Sequence, residues 1–366
     1  MLRLSKLTIA AAFLCLSTVA VAAPVVTGLG TSIFDHGTSA TISVTNPGTK
    51  STVPPHIWDN METGGFHPNW GGVSVARINT SDARHGNSAY NGNHNFQGSG
   101  GDGYYGAFEA PSDTRSATWF CQYWFKLDTN WNWGAGPAGS ADANLANVKM
   151  FRLWHAGGQE NLSFASWRNG LMQYSMELIE PPQQQRDFYS RSNFTPGVWQ
   201  CFQFEFISSD IGVANGTFRW WHNGYRVVNN TTFMTRQNLA TYKYPLILGF
   251  FNSWIDGGTD RDDFYIDDVY IDTSLARVEV GDNVDYNSCT HREVQIPTAW
   301  ANDEISFTVN TGSFDGEADA YIFVVDENGV KSAGFPIVVG QSGGGLVEGP
   351  GDITDPPTDI TATGGN

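Results

Sequence analysis

The chain has 366 residues, long enough for two or three domains. Its 37 acidic residues against 20 basic ones leave a formal charge of −17, which argues against nucleic acid or an anionic membrane as a partner. Aromatic residues make up 13% and glycines number 41, a composition suited to short strands and turns.

Residues 1–22 read as a secretory leader. Arg3 and Lys6 precede an apolar stretch from Leu7 to Val21, and Ala20-Val21-Ala22 offers a small-residue cleavage site. No second apolar run reaches the about 20 residues of a membrane span. The expected mature protein is secreted or periplasmic, has no membrane span and is monomeric. Without Arg3 and Lys6, 18 basic residues face 37 acidic ones, a balance of −19. Only −7 of this lies between His56 and Asp272, so the flanking segments are the more acidic parts.

Residues 23–55 carry a strand pattern in which Ala40, Ile42 and Val44 alternate with Thr41, Ser43 and Thr45. A segment of about thirty residues cannot enclose a core, so it must pack on something else. Residues 56–272 offer many short strands: Val73–Ile78, Tyr104–Glu109, Ala117–Leu127, Val148–His155, Leu171–Ile179, Val198–Ile207, Gly216–His222, Tyr225–Val228, Leu246–Phe251 and Asp263–Ile271. Asn, Gly and Pro separate most of them, and no helical period persists, which implies a sandwich or jelly roll. Asn223-Gly224 between aromatics predicts a tight hairpin of type I′. Residues 273–340 turn acidic and poor in Trp, with alternating runs at Glu304–Val309, Ala320–Val325 and Gly334–Val339, as in half of an Ig-like sandwich. Residues 341–366 are a Gly-, Pro-, Thr- and Asp-rich tail, read as a disordered linker.

The runs Val148–His155 and Leu171–Leu178 read as two strands of a hairpin around a Gly- and Asn-rich loop. Met172, Tyr174 and Met176 alternate with Gln173, Ser175 and Glu177, giving one apolar and one polar face. In Val198–Ile207 the residues Phe202, Phe204 and Phe206 suit the core, while Cys201, Gln203 and Glu205 share the opposite face. Pooling these strands predicts one polar face bearing Gln173, Gln203 and Glu205 with Trp124 and Trp221 nearby. Such a face suits a sugar chain, because aromatic rings stack on pyranose CH groups while amides and carboxylates meet hydroxyl pairs.

Lys149, Arg152 and His155 form a dense basic group for a strand. Once the leader is gone, Cys121, Cys201 and Cys289 remain, an odd number. Cys121 and Cys201 lie in aromatic strands and are the expected disulfide, with pairing of Cys289 to either left open. Asp256, Asp260 and Asp262 crowd one loop, where several oxygen ligands would suit calcium. No other cofactor is implied.

Tyr123-Trp124-Phe125-Lys126, Lys149 in VKMFRLW, WHNGYRV and the run Tyr265–Asp272 together resemble the concanavalin-A-like jelly roll of lectins, laminin-G-type modules, glucanases and polysaccharide lyases. YWFK, Lys149 and the SxxxWRNG segment further resemble a group of secreted alginate and glucuronan lyases on that fold. The resemblance implies Lys149 as the family's lysine, Arg168 of the Trp-Arg as a substrate contact and Tyr174 as a loose match to its tyrosine. Ser163 and Ala165 fall where a Ser-x-Arg pair is expected, so that arginine is missing here. GTSATISVTNPGTKS and the segment from Trp300 to Ser332 resemble the two halves of one IPT/TIG-type immunoglobulin-like module. The expected architecture is thus all-β, with a concanavalin-A-like jelly roll inserted into a small Ig-like sandwich.

These readings leave three functions open. In a lyase, Lys149 or Arg152 would neutralise a uronate carboxylate, and Tyr174 or His155 would move the proton in β-elimination. In a glycoside hydrolase, Glu177 and Glu205 would be the carboxyl pair. In a carbohydrate-binding or adhesion module, the same face would hold glycan without cleaving it.

Overall fold

The computed structural model describes residues 22–31, 33–63, 67–70, 78–79, 82–95, 107–109, 116–131, 148–153, 161–166, 171–177, 183–237, 246–252, 261–314 and 319–340. The strands run in chain order from both flanks inward. The N-terminal flank contributes β1 (Val25–Leu29), β2 (Ile33–Phe34) and β3 (Ser39–Thr45). The middle contributes β4 (Ile57–Asp59), β5 (Ile78–Asn79), β6 (Ala89–Asn95), β7 (Ala107–Glu109), β8 (Thr118–Leu127), β9 (Val148–Leu153), β10 (Asn161–Ser166), β11 (Leu171–Glu177) and β12 (Gln183–Ser190). It continues with β13 (Gln200–Ile207), β14 (Gly216–His222), β15 (Tyr225–Phe233), β16 (Leu246–Asn252) and β17 (Arg261–Asp272). The C-terminal flank adds β18 (Arg277–Gly281), β19 (Arg292–Val294), β20 (Ile296–Trp300), β21 (Glu304–Thr308), β22 (Asp319–Val325) and β23 (Phe335–Val339). Among the described residues no helix is long and apolar enough to cross a membrane.

The middle strands form a jelly-roll sandwich. One sheet has the order β12-β11-β10-β9-β16-β7, and the other β15-β14-β13-β8-β17-β6-β5 with β4 also on β17. Their facing surfaces are the apolar halves of the alternating strands. Phe202, Phe204 and Phe206 of β13 are fully buried, and Phe151 of β9 stacks on Phe204 at 4.6 Å. Removing each such ring from water stabilises the fold by roughly 1.5–3 kcal/mol, which is why the period-2 pattern dictates these two faces.

Strands from the two ends of the chain complete a second, smaller sandwich. Its sheets have the orders β1-β3-β21-β20 and β19-β18-β22-β23-β2. Ile42 and Val44 of β3 share a core with Val278, Ile305, Phe307, Ile322 and Val324. Neither end could bury these residues without the other, since β3 pairs directly with β21.

Two expectations are corrected. The basic strand β9 and the alternating strand β11 are not hairpin partners, because β10 lies between them and pairs with both. Leu162 and Phe164 alternate with Ser163 and Ala165, but the polar surroundings of this short run hide it. The Cys121–Cys201 disulfide is also absent, and Cys121, Cys201 and Cys289 are free thiols. Cys121 pairs in register with Phe204 and Cys201 with Trp124. The two cysteines therefore stand an odd number of residues apart on neighbouring strands and face opposite sides of the sheet. Cys121 lies in the jelly-roll core and Cys201 packs with Ala89, Trp124 and Trp199 outside it.

Candidate functional site

Lys149, Arg152, Gln173 and Glu177 all lie in the six-stranded sheet. Backbone register sets them in rows. Arg152, Ser163, Ser175 and Gln185 form one, Lys149, Ala165, Gln173 and Asp187 the next, and Asn161, Glu177 and Gln183 a third. Lys149 and Arg152 are three residues apart, so a regular strand would aim them to opposite faces. A register shift between Phe164 and Ala165 interrupts that regularity. Met150 and Phe151, consecutive in sequence, both enter the core. The rows of Lys149 and Arg152 lie roughly 7 Å apart along β10, at Ala165 and Ser163. Arg152 is half-buried while Phe151 and Leu153 on either side are fully buried.

Tyr174 does not belong to this face. It is 5% exposed, its ring packs 5.2 Å from Phe218 and 5.5 Å from Phe233, and its hydroxyl accepts a hydrogen bond from Asn230 Nδ2 at 3.0 Å. The expected proton-transfer role is corrected accordingly: Tyr174 faces the opposing sheet, as its place among Met172 and Met176 implies. His155, Arg168, Asp256 and Asp260 lie outside the described residues, and Asp262 is placed only by its backbone in β17, opposite His94. Among the described residues no group of three or more His, Cys, Asp or Glu could hold a metal ion.

The single pooled polar face is also corrected. Gln173 and Glu177 belong to the six-stranded sheet, and Gln203 and Glu205 to the eight-stranded one. The outer face of the latter is covered by the small sandwich. Glu205 is fully buried and pairs with Arg277 at 2.8 Å, Arg219 at 2.9 Å and Lys331 at 3.3 Å. Burial alone would raise its pKa, but Lys331, Arg277 and Arg219 outweigh burial and hold it at about 2. Gln203 donates to Glu279 at 2.7 Å and accepts from Arg292 at 2.7 Å. Trp124 lies under the Arg84 guanidinium at 3.5 Å, and Arg292 and Lys331 both stand over Trp221. These four expected sugar contacts are therefore components of a buried junction. Glu177 and Glu205, on different sheets with Glu205 enclosed by cations, cannot flank one glycosidic bond.

The residues that build this junction were not singled out from sequence. Arg277-Val278-Glu279-Val280 held the signal, an alternating strand whose non-core face is charged yet buried throughout. The bulge near the end of β17 is a second omission. Asp267 and Asp268, adjacent in β17, are both buried. Asp268 takes φ +48°, and the register shifts between Asp267 and Tyr270, so both carboxylates turn inward.

No family model and no curated protein matches the chain. Solved structures with a similar course include an endo-β-1,4-glucuronan lyase from the fungus Trichoderma reesei, at 13% identity, covering 61% of this chain and 97% of that one, with a TM-score of 0.47. An alginate lyase from Chlorella virus matches at 10% identity over 60% of this chain and 99% of that one, TM-score 0.42. The marine PL-14 alginate lyase from Aplysia kurodai matches at 12% identity over 61% and 98%, TM-score 0.41.

Proposed function

We propose that the outer face of the six-stranded sheet binds a uronate-containing polysaccharide, and that the protein is a secreted lyase cleaving it by β-elimination. The observation that supports this is the register that sets Lys149 and Arg152 in adjoining rows beside Ser163, Gln173, Ser175 and Glu177. A uronate polymer presents carboxylates and hydroxyls in alternation, which two cations among hydroxyl, amide and carboxylate groups complement. Lys149 and Arg152 neutralise the carboxylate next to C5 and so acidify its C–H bond. With Tyr174 turned inward, His155 is the residue assigned to the proton, at the end of the same strand run. We read the small sandwich as an IPT/TIG-type support rather than a second glycan site. No cofactor enters this reaction, and a calcium ion on Asp256, Asp260 and Asp262 is assigned a structural role.

The inward Tyr174 also favours a second reading, glycan binding without cleavage. One assay separates the two. Purified protein is mixed with a panel of uronate polysaccharides, with calcium or with chelator, and the ultraviolet absorbance of the new carbon–carbon double bond is followed. The lyase reading expects a rising signal that falls by about 100-fold or more in Lys149→Ala and His155→Ala. Retention of polymer on the protein with a flat absorbance trace establishes binding alone. Neither retention nor absorbance across the panel refutes both readings.

A further inference from the structure

The junction between the two sandwiches contains a pair of histidines that the glycan site does not use. His36 lies in the turn between β2 and β3 of the small sandwich, and His85 in the loop ahead of β6 of the jelly roll. Their ring centroids are 4.1 Å apart at an interplanar angle of 66°. His36 Nδ1 receives the Thr311 backbone N–H at 3.3 Å. A backbone N–H can only donate, so Nδ1 accepts this bond while it carries no proton, and the Thr311 hydroxyl lies 3.4 Å from the same nitrogen. His85 Nδ1 faces the buried Asp268 carboxylate at 3.7 Å. That carboxylate is fixed by the left-handed backbone of Asp268 and by an ion pair with Arg84. Arg84 also pairs with Glu293, which pairs in turn with His291, and the Ser313 hydroxyl contacts both Arg84 and His291.

The charged groups facing the two rings therefore come from three elements: Arg84 from the loop of His85, Asp268 from β17, and Glu293 with His291 from β19 and its approach. The geometry provides an anion for one imidazole and a donor for the other. We propose that His36 and His85 form a one-proton clasp between the sandwiches, closed while His85 is protonated and His36 is neutral. Adding a proton to His36 places two cations in ring contact and removes the acceptor for Thr311. Removing the proton from His85 leaves the Asp268 carboxylate with Arg84 as its remaining partner in the cluster.

The shifts run in the directions this requires. For His36, burial and the neighbouring His85 push the pKa down, against Asp268 and Glu293. For His85, burial opposes the charge, but Asp268 overcomes it and the pKa rises. A lowered histidine contributes stability above its unfolded value, lost as pH falls through its folded value. A raised histidine contributes stability below its unfolded value, lost as pH rises through its folded value. The clasp is therefore tightest near the ordinary histidine pKa of about 6.5 and loosens on both sides.

The test is hydrogen exchange of the Thr311 amide in the full-length protein across this pH range, corrected for the intrinsic rate. The expected protection is bell-shaped, with a severalfold loss on each side of the ordinary histidine value. His36→Gln, whose amide can still accept from Thr311 but cannot gain a charge, removes the acid-side loss. His85→Gln removes the alkaline-side loss. A flat profile overturns the proposal, as does a bell that both variants leave unchanged, since His291 or Glu293 would then be its source. Should either variant misfold, imidazole proton resonances of the parent protein decide. His85 must titrate above the ordinary value and His36 below it, and titration of both together at that value overturns the clasp.

Discussion

Glu205 occupies the polar side of an alternating strand, where a carboxylate would ordinarily meet water, yet it is fully enclosed by three cations. Its role follows from the cost of leaving any member alone. Breaking a buried ion pair by removing one partner costs about 3–5 kcal/mol, because the other charge stays desolvated. Glu205→Gln is expected to destabilise the protein by that amount, measured by denaturant unfolding near neutral pH. The pH dependence has a fixed sign. Glu205 titrates at about 2 in the fold, below the ordinary carboxylate value, so its contribution is present above that ordinary value and fades as pH falls toward 2. The shift corresponds to on the order of 3 kcal/mol, in keeping with the mutational figure. The acid limb of the parent's stability curve should therefore be shallower in Glu205→Gln. An equally steep limb would assign acid sensitivity to Asp268 and Glu293 instead.

At the scale of elements, the hairpin joining β14 to β15 shows what short-range chemistry decides. Asn223 and Gly224 take φ +44° and +76°, the left-handed pair that a type I′ turn needs. A Cβ on Gly224 would lie 2.2 Å from the Cys289 carbonyl oxygen and 2.8 Å from Thr290 backbone carbon, so the turn is also pressed against the small sandwich. Gly224→Ala is expected to cost about 1–3 kcal/mol in backbone strain alone, with a further cost from the displaced Cys289–Thr290 segment. Gly212→Ala, also at positive φ but with open space around it, carries the strain without the clash. A melting-temperature loss no larger at Gly224 than at Gly212 would show that the turn does not bear on the junction. This turn was legible because two residues define it, and so was the alternation of Phe202, Phe204 and Phe206. Strands β6 and β12 were not, since Asn, Gly and Gln in runs such as Ala89–Asn95 carry no apolar period, and β10 was not because its alternation is short and set in polar surroundings. The irregularity of β9 between Lys149 and Phe151 was equally invisible, because a register shift is set by the partner strands. Period 2 separates two faces, but it does not say what covers each one, and so Gln203 and Glu205 read as a cleft when they form a junction.

For the whole molecule, the decisive feature is that buried ion pairs cross between the two sandwiches as well as running within each. Arg277 and Glu279 sit on β18 of the small sandwich and reach Glu205 and Gln203 on β13 of the jelly roll. Lys50, just beyond β3, pairs with Asp272 at the end of β17. Separating the sandwiches would expose Trp124 and Trp221 and break the pairs of Glu205 with Arg277 and Lys331 and of Arg84 with Glu293. Rehydration of the charges offsets part of that loss, but the exposed aromatic surface and the broken crossing pairs together oppose separation. Neither half should then survive the unfolding of the other, and calorimetry is expected to show one transition. Ile305→Ala makes the test local. Ile305 is fully buried in the small core, and its truncation should cost about 2–5 kcal/mol. If the junction couples the sandwiches, the jelly-roll aromatic signal, read by near-ultraviolet circular dichroism, must melt at a lower temperature in step with the calorimetric peak. Two resolved peaks, of which only one moves, would mean that the ion pairs hold the sandwiches in place without making them fold as one.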